Sequence, residues 1–83
     1  MSKGIYTSRQ KELLHLLRQL REDANISQKQ LAERINRSQS FISKYENGEL
    51  RLDLLELYEI CEATNVSLQD FIRRFEGKIN EGR

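Results

Sequence analysis

Along most of the chain apolar residues recur three and four positions apart, and no stretch alternates strictly between apolar and polar. That period predicts helices and no sheet. Five segments carry it. The first, 8–24, puts Leu13, Leu16, Leu17, Leu20 and Ala24 on one stripe. Thr7 and Gln10 have capping-box spacing, and Asn25 can take the left-handed conformation that closes a helix. The second, 28–35, turns Leu31, Ala32 and Ile35 inward; Ser27 and Gln30 repeat the capping box, and Asn36 again tolerates positive φ. The third, 39–47, opens at the N-cap Ser38 and stops at Gly48. The fourth, 53–63, starts at the cap Asp53 and has the stripe Leu54, Leu57, Tyr58 and Cys61. The fifth follows Ser67, with Leu68, Phe71, Ile72 and Phe75 at i, i+3, i+4 and i+7. Residues 1–6 and the tail GKINEGR, 77–83, are expected to fray. The expected fold is all-α: a compact five-helix bundle in a single domain, 1–83, with its core at about 8–76.

Only Asn36, Arg37 and Ser38 separate the second helix from the third. So short a joint forces a sharp corner, the helix-turn-helix geometry whose second helix can enter a DNA major groove. At 100° per residue, Phe41, Ile42 and Tyr45 fall on one arc of the third helix. Gln39, Ser40, Ser43, Lys44 and Asn47 fall on the other, with Glu46 at the border. Amides, hydroxyls and one amine suit base edges. Gln can pair with adenine at two points, Lys can donate to guanine, and Ser can do either at several edges. Short side chains at 40 and 43 let such a helix lie deep in a groove. Taken alone, this arc fits a solvated helix face equally well; the tight turn before it favours DNA.

With 83 residues, the chain has room for one modest core. A pocket of ~300 Å³ or more is not expected in it, and so no small-molecule ligand. No apolar run reaches membrane-spanning length, and MSKGIYTSRQ lacks the apolar stretch of a secretory signal. Cys61 is the single cysteine, so no intrachain disulfide can form, and a cytoplasmic location is the default expectation. Net charge is only +1, yet residues 1–51 hold ten Lys/Arg against six Asp/Glu, and residues 52–83 hold four against seven. A basic first part and an acidic last part suggest separate faces for an anion and for something else. His15 is the one histidine and no Cys/His cluster exists, so no metal or cofactor is expected. Glu56, Glu59 and Glu62 read as a solvated row, Cys61 as a packed thiol, and the four glycines form no phosphate loop. Nothing here argues for an enzyme.

The text LRQLREDANISQKQLAERINRSQSFISKYENG, followed by LLELYEICEATNVSLQDFI, resembles the helix-turn-helix domain of phage repressors and Cro, the XRE-like transcriptional regulators. The resemblance covers residues 13–72, and from Ser27 to Gly48, over two helices and their turn, it keeps its spacing without gaps. It implies base contacts from Gln39, Ser40, Ser43 and Lys44, and backbone contacts from Gln28 and Asn47; Lys29, Arg37 and Arg51 are further candidates for phosphate contacts, although arginines at loop positions are as often simply solvated. It also implies a structural ion pair between Arg21 and Glu46. The chain departs from the pattern where Asn25 and Asn36 stand in place of the usual glycines, and where Leu52 stands in place of a common proline. A homodimer is expected, with Leu55, Leu68, Phe71, Ile72 and Phe75 as its interface. Its two recognition helices would lie ~34 Å apart and read a pseudo-palindromic operator in double-stranded DNA. The implied function is that of a sequence-specific regulator, more a repressor and autoregulator than an activator. Within that class, a controller of a restriction–modification operon is an alternative. Outside it, the alternative is an antitoxin or other module whose main task is to bind a toxin or another protein partner.

Overall fold

The computed structural model describes residues 8–81, with side chains to residue 80. Among them are five α-helices and no strand: α1 (Ser8–Asp23), α2 (Gln28–Ile35), α3 (Gln39–Glu46), α4 (Leu54–Ala63) and α5 (Leu68–Glu81). The expected cap Thr7 lies outside the described residues.

Three joints use the same device, Asn-x-Ser. Asn25, Asn36 and Asn65 adopt the left-handed conformation at φ 64°, 61° and 63°. The next N–H then reaches back to the carbonyl five residues earlier: Ile26 to Arg21 at 3.3 Å, Arg37 to Ala32 at 2.9 Å, Val66 to Cys61 at 3.0 Å. These bonds satisfy carbonyls left open at a helix end. The serine caps the following helix by accepting from the backbone N–H three residues on: Ser27 from Gln30 and Ser67 from Asp70 at 3.0 Å, Ser38 from Phe41 at 3.1 Å. Asparagine tolerates this region because its short polar side chain can bond locally. The middle residue reports which way each joint faces. Ile26 is buried and Val66 packs on the core, whereas Arg37 is exposed. After α3 the left-handed residue is Gly48, φ 82°, and a longer connection leads to α4. Asp53 caps α4 in a full capping box with Glu56.

The core joins every helix. Leu16, Leu17 and Leu20 of α1, Leu31 and Ala32 of α2, Ile42 and Tyr45 of α3, Ile60 and Cys61 of α4, and Phe71 of α5 are all buried. Burying an aliphatic or aromatic side chain of this size contributes ~1.5–3 kcal/mol.

Three expectations need correction. The buried stripe of α4 is Leu57, Ile60, Cys61 and Thr64, while Leu54 and Tyr58 are 67% and 45% exposed. Both registers satisfy i, i+3, i+4, i+7 in a leucine-rich segment. Packing against α2 and α5 selects the second, and the Thr64 hydroxyl becomes tolerable there by donating to the carbonyls of Ile60 and Cys61. α5 runs through Gly77 to Glu81, with Ile79 half-buried four residues beyond Phe75. Phe71 is fully buried, and Leu68 and Phe75 pack against the core, because α5 lies against both α1 and α4. Phe71 is therefore withdrawn from any dimer face. Last, α1, the α3–α4 connection and the start of α4 enclose a groove of about 370 Å³, larger than the space expected in so short a chain. The wide course of the connection leaves it open.

Candidate nucleic-acid interface

The sharp joint at Asn36–Ser38 sets α3 across α2 with its polar arc outward. Gln39, Ser40 and Lys44 are exposed and Ser43 is half-buried, so the four proposed base-reading residues share one face of one helix. On the opposite arc Ile42 and Tyr45 are fully buried, and Phe41 meets Tyr45 edge to face with ring centres 5.7 Å apart. Two rings and an isoleucine thus fix the rotation of α3 about its own axis.

Its position along that axis is held by Glu46. The Arg21 Nε donates to one carboxylate oxygen at 2.8 Å, and its Nη2 donates to the other at 3.1 Å. Gln28 Nε2 donates to the second oxygen at 3.0 Å. Arg21 Nη1 also donates to the Ile26 carbonyl at 3.0 Å, which anchors the α1–α2 joint. Glu46 is 8% exposed overall, and such a charge is tolerated inside only when paired and hydrogen-bonded. The bond to Glu46 holds the Arg21 pKa above its ordinary value, against the opposing effect of burial. One carboxylate in the last turn of α3 therefore ties it to the end of α1 and the start of α2. Arg18 stands 3.9 Å from the same group, a contribution that the sequence pattern did not reveal.

The proposed phosphate contacts fall at three places. Gln28 and Lys29 open α2; Gln28 is half-buried against Glu46 and Lys29 is exposed. Asn47 and Arg51 are exposed in the connection after α3. Arg37 lies in the turn, but its guanidinium is engaged. It donates to Glu56 at 2.9 Å and stacks over the Phe41 ring at 4.4 Å. Glu56 is therefore no member of a solvated row. One of its oxygens accepts from the Asp53 N–H and the other binds Arg37, so it caps α4 and braces the turn at once. Glu59 and Glu62 are exposed, and Glu62 bonds the Tyr58 hydroxyl and raises its pKa.

Of the residues proposed for a dimer face, Leu55 and Ile72 are on the surface, 71% and 38% exposed. Leu54 and Tyr58, which pattern reasoning assigned to the core, join them among the exposed large apolar residues. His15 is exposed. The Cys61 thiol is buried, and burial pushes its pKa up to about 11. Among the described residues no group of His, Cys, Asp and Glu could hold a metal ion, and no helix is long and apolar enough to cross a membrane.

Comparison with known proteins bears on this arrangement. A family model described as helix-turn-helix matches residues 17–71. An XRE-family like protein from Pseudomonas syringae pv. tomato str. DC3000 is similar in structure, with a TM-score of 0.80 and 39% identity over 86% of this chain and 87% of that one. The clp gene regulator ClgR from C. glutamicum matches with a TM-score of 0.74 and 25% identity over 86% of this chain and 91% of its own. No curated protein matches.

Proposed function

This chain belongs to the XRE-type helix-turn-helix family of DNA-binding transcription regulators, and from that premise we propose that it is a homodimeric repressor of its own transcription. The observation that carries the reading is the outward arc of α3. It presents two short hydroxyls, an amide and an amine beyond a three-residue turn, on a helix whose rotation and position are fixed from behind. Fixing a reader before contact lowers the ordering cost of binding. Gln39, Ser40, Ser43 and Lys44 touch bases in this reading. Gln28, Lys29, Asn47 and Arg51 touch phosphates, and Arg37 joins them by exchanging Glu56 for a phosphate oxygen. Leu55 and Ile72 belong to the dimer face.

The test is a binding titration against the DNA upstream of the chain's own gene and against random duplex, at two salt concentrations. Preference for the upstream DNA by ~10³-fold or more is the expected result. Gln39→Ala should then lose ~1–3 kcal/mol of discrimination at one base position. An equal loss on every sequence would remove Gln39 from the base-reading set.

A second reading rests on Leu54, Leu55, Tyr58 and Ile72, which leave apolar surface on α4 and α5. In it the chain is an antitoxin-like module and that surface takes a protein partner. Equal weak binding to both DNAs, with a second small protein co-purifying, would favour this reading.

A further inference from the structure

Glu46 sits where the expected backbone contacts converge. Its Oε1 accepts from Gln28, the first residue of α2, and Asn47 follows it in the chain, exposed at the end of α3. A further group approaches the same oxygen. Arg18 reaches over from α1, its Nε 3.9 Å from Glu46 Oε1 and 3.6 Å from Glu22. Both distances are too long for a hydrogen bond, and none joins the Arg18 guanidinium to any described residue. Nor does the fold depend on its charge. Arg21 already neutralises Glu46 and donates to both of its oxygens. Arg18 is 56% exposed and Glu22 58%, and pairs so exposed contribute little to stability. Arg21 cannot serve a ligand in its place, because its side chain is 11% exposed and its Nε, Nη1 and Nη2 are all engaged. Arg18 is thus a cation with its donors open, held at the seam of α1, α2 and α3.

We propose that Arg18 is a phosphate contact of the DNA interface, placed between Gln28 and Lys29 at the opening of α2 and Asn47 after α3. This rests on the reading above and extends its interface to α1. A phosphate suits the place better than a base edge. Arg18 stands outside the recognition helix, and a guanidinium meets two phosphate oxygens with parallel N–H donors. On contact it exchanges the loose pairing with Glu22 for the phosphate. A phosphate held by Gln28 also comes close to the buried Glu46 carboxylate, which repels it. Arg21 cancels that charge, and Arg18 supplies the attraction.

The experiment is a fluorescence-anisotropy titration of the full chain with random duplex and with the upstream duplex, over a range of salt. Arg18→Gln should weaken binding to both duplexes equally, about fivefold at ~0.1 M salt, and flatten the log–log salt slope by ~1. Arg18→Lys keeps the charge and should keep the slope. Both variants should leave Tm where it is, since Arg18 is exposed and Arg21 holds Glu46. A role in the fold alone moves other quantities. A lower Tm for Arg18→Gln, or an affinity loss with an unaltered slope, would overturn the proposal, as would unaltered affinity. A loss confined to the upstream duplex would make Arg18 a reader of sequence and overturn it equally. The random duplex keeps this test apart from the reading above. If the chain binds both duplexes alike, sequence-specific repression fails, while a slope flattened by Arg18→Gln on random duplex still establishes the contact. A wild type that binds neither duplex at low salt overturns both.

Discussion

Replacing Arg21 by methionine should be among the most damaging single changes in this protein. The Arg21 side chain is 11% exposed and that of Glu46 1%, so the substitution strands a carboxylate inside the bundle. Removing one partner of a buried pair costs ~3–5 kcal/mol. Two groups soften the loss: the Gln28 amide at 3.0 Å remains, and Arg18 at 3.9 Å can move closer. Arg18 is itself 56% exposed and counts for little, since water screens it. Against this, the Ile26 carbonyl loses its donor, worth ~1 kcal/mol. The expected total is about 3–4 kcal/mol. In a domain of this size each kcal/mol lowers Tm by ~4–8 °C, so the fall should exceed about 12 °C.

The double variant Arg21→Met, Glu46→Met separates this reasoning from a loss of packing. It removes both charges and leaves only the Ile26 carbonyl and the Gln28 amide without their partners. Its cost should be ~1–2 kcal/mol, less than that of Arg21→Met alone. Urea unfolding followed by far-UV circular dichroism measures all three variants, and the cycle should give a coupling of ~2 kcal/mol or more. A single-variant cost below ~1 kcal/mol, or a double variant as costly as the two singles summed, would refute the stranded-charge account.

Glu56→Gln keeps an oxygen to accept from the Asp53 N–H but drops the charge that holds Arg37. The log–log salt slope of DNA binding should steepen by up to ~1, and Arg37→Ala should flatten it by a similar amount; slopes indifferent to both would take Arg37 off the phosphates. Cys61 should make stability fall in alkali. Its folded pKa is pushed up to about 11 from 9.0, so its contribution is whole below pH 9 and is lost as pH rises through about 11. Tyr45, also raised by burial, adds to the same trend. Cys61→Ala should therefore reduce the slope of stability against pH in that window, and an unchanged slope would mean that the thiol ionises freely in the fold. The exposed pair Leu55→Glu and Ile72→Glu should convert a dimer to monomers in sedimentation without lowering Tm, whereas unaltered sedimentation would place the dimer face elsewhere.

What could be read from the residues, and what could not, divides along a physical line. Helix ends were readable because their causes are local. An asparagine or glycine at positive φ and a serine or aspartate three residues before a free N–H act within one turn, and the α2 bounds were expected as observed. Even there Asn65 passed unremarked, although Asn-Val-Ser repeats the device of Asn-Ile-Ser and Asn-Arg-Ser. Which face a helix buries is not local when several faces are apolar. In α4, Leu54, Leu55 and Leu57 permit two registers, and only the positions of α2 and α5 choose between them. The same limit misplaced Phe71: a helix with surplus apolar surface looks free until its neighbours are known. It also hid Glu56, whose spacing with Glu59 and Glu62 suggests a solvated row, while its chemistry depends on Arg37, nineteen residues earlier in the chain. Long-range polar contacts leave no periodic trace. Arg21 and Glu46 were paired through family resemblance rather than through any pattern in the residues. The groove is the extreme case, since a cavity is defined by what three segments fail to fill. Its one sequence signal is the leucine alternation at 50, 52 and 54. Leu54 opens α4, whereas Leu50 and Leu52 sit in the connection and pack against the core, a long-range contact that their alternation does not announce.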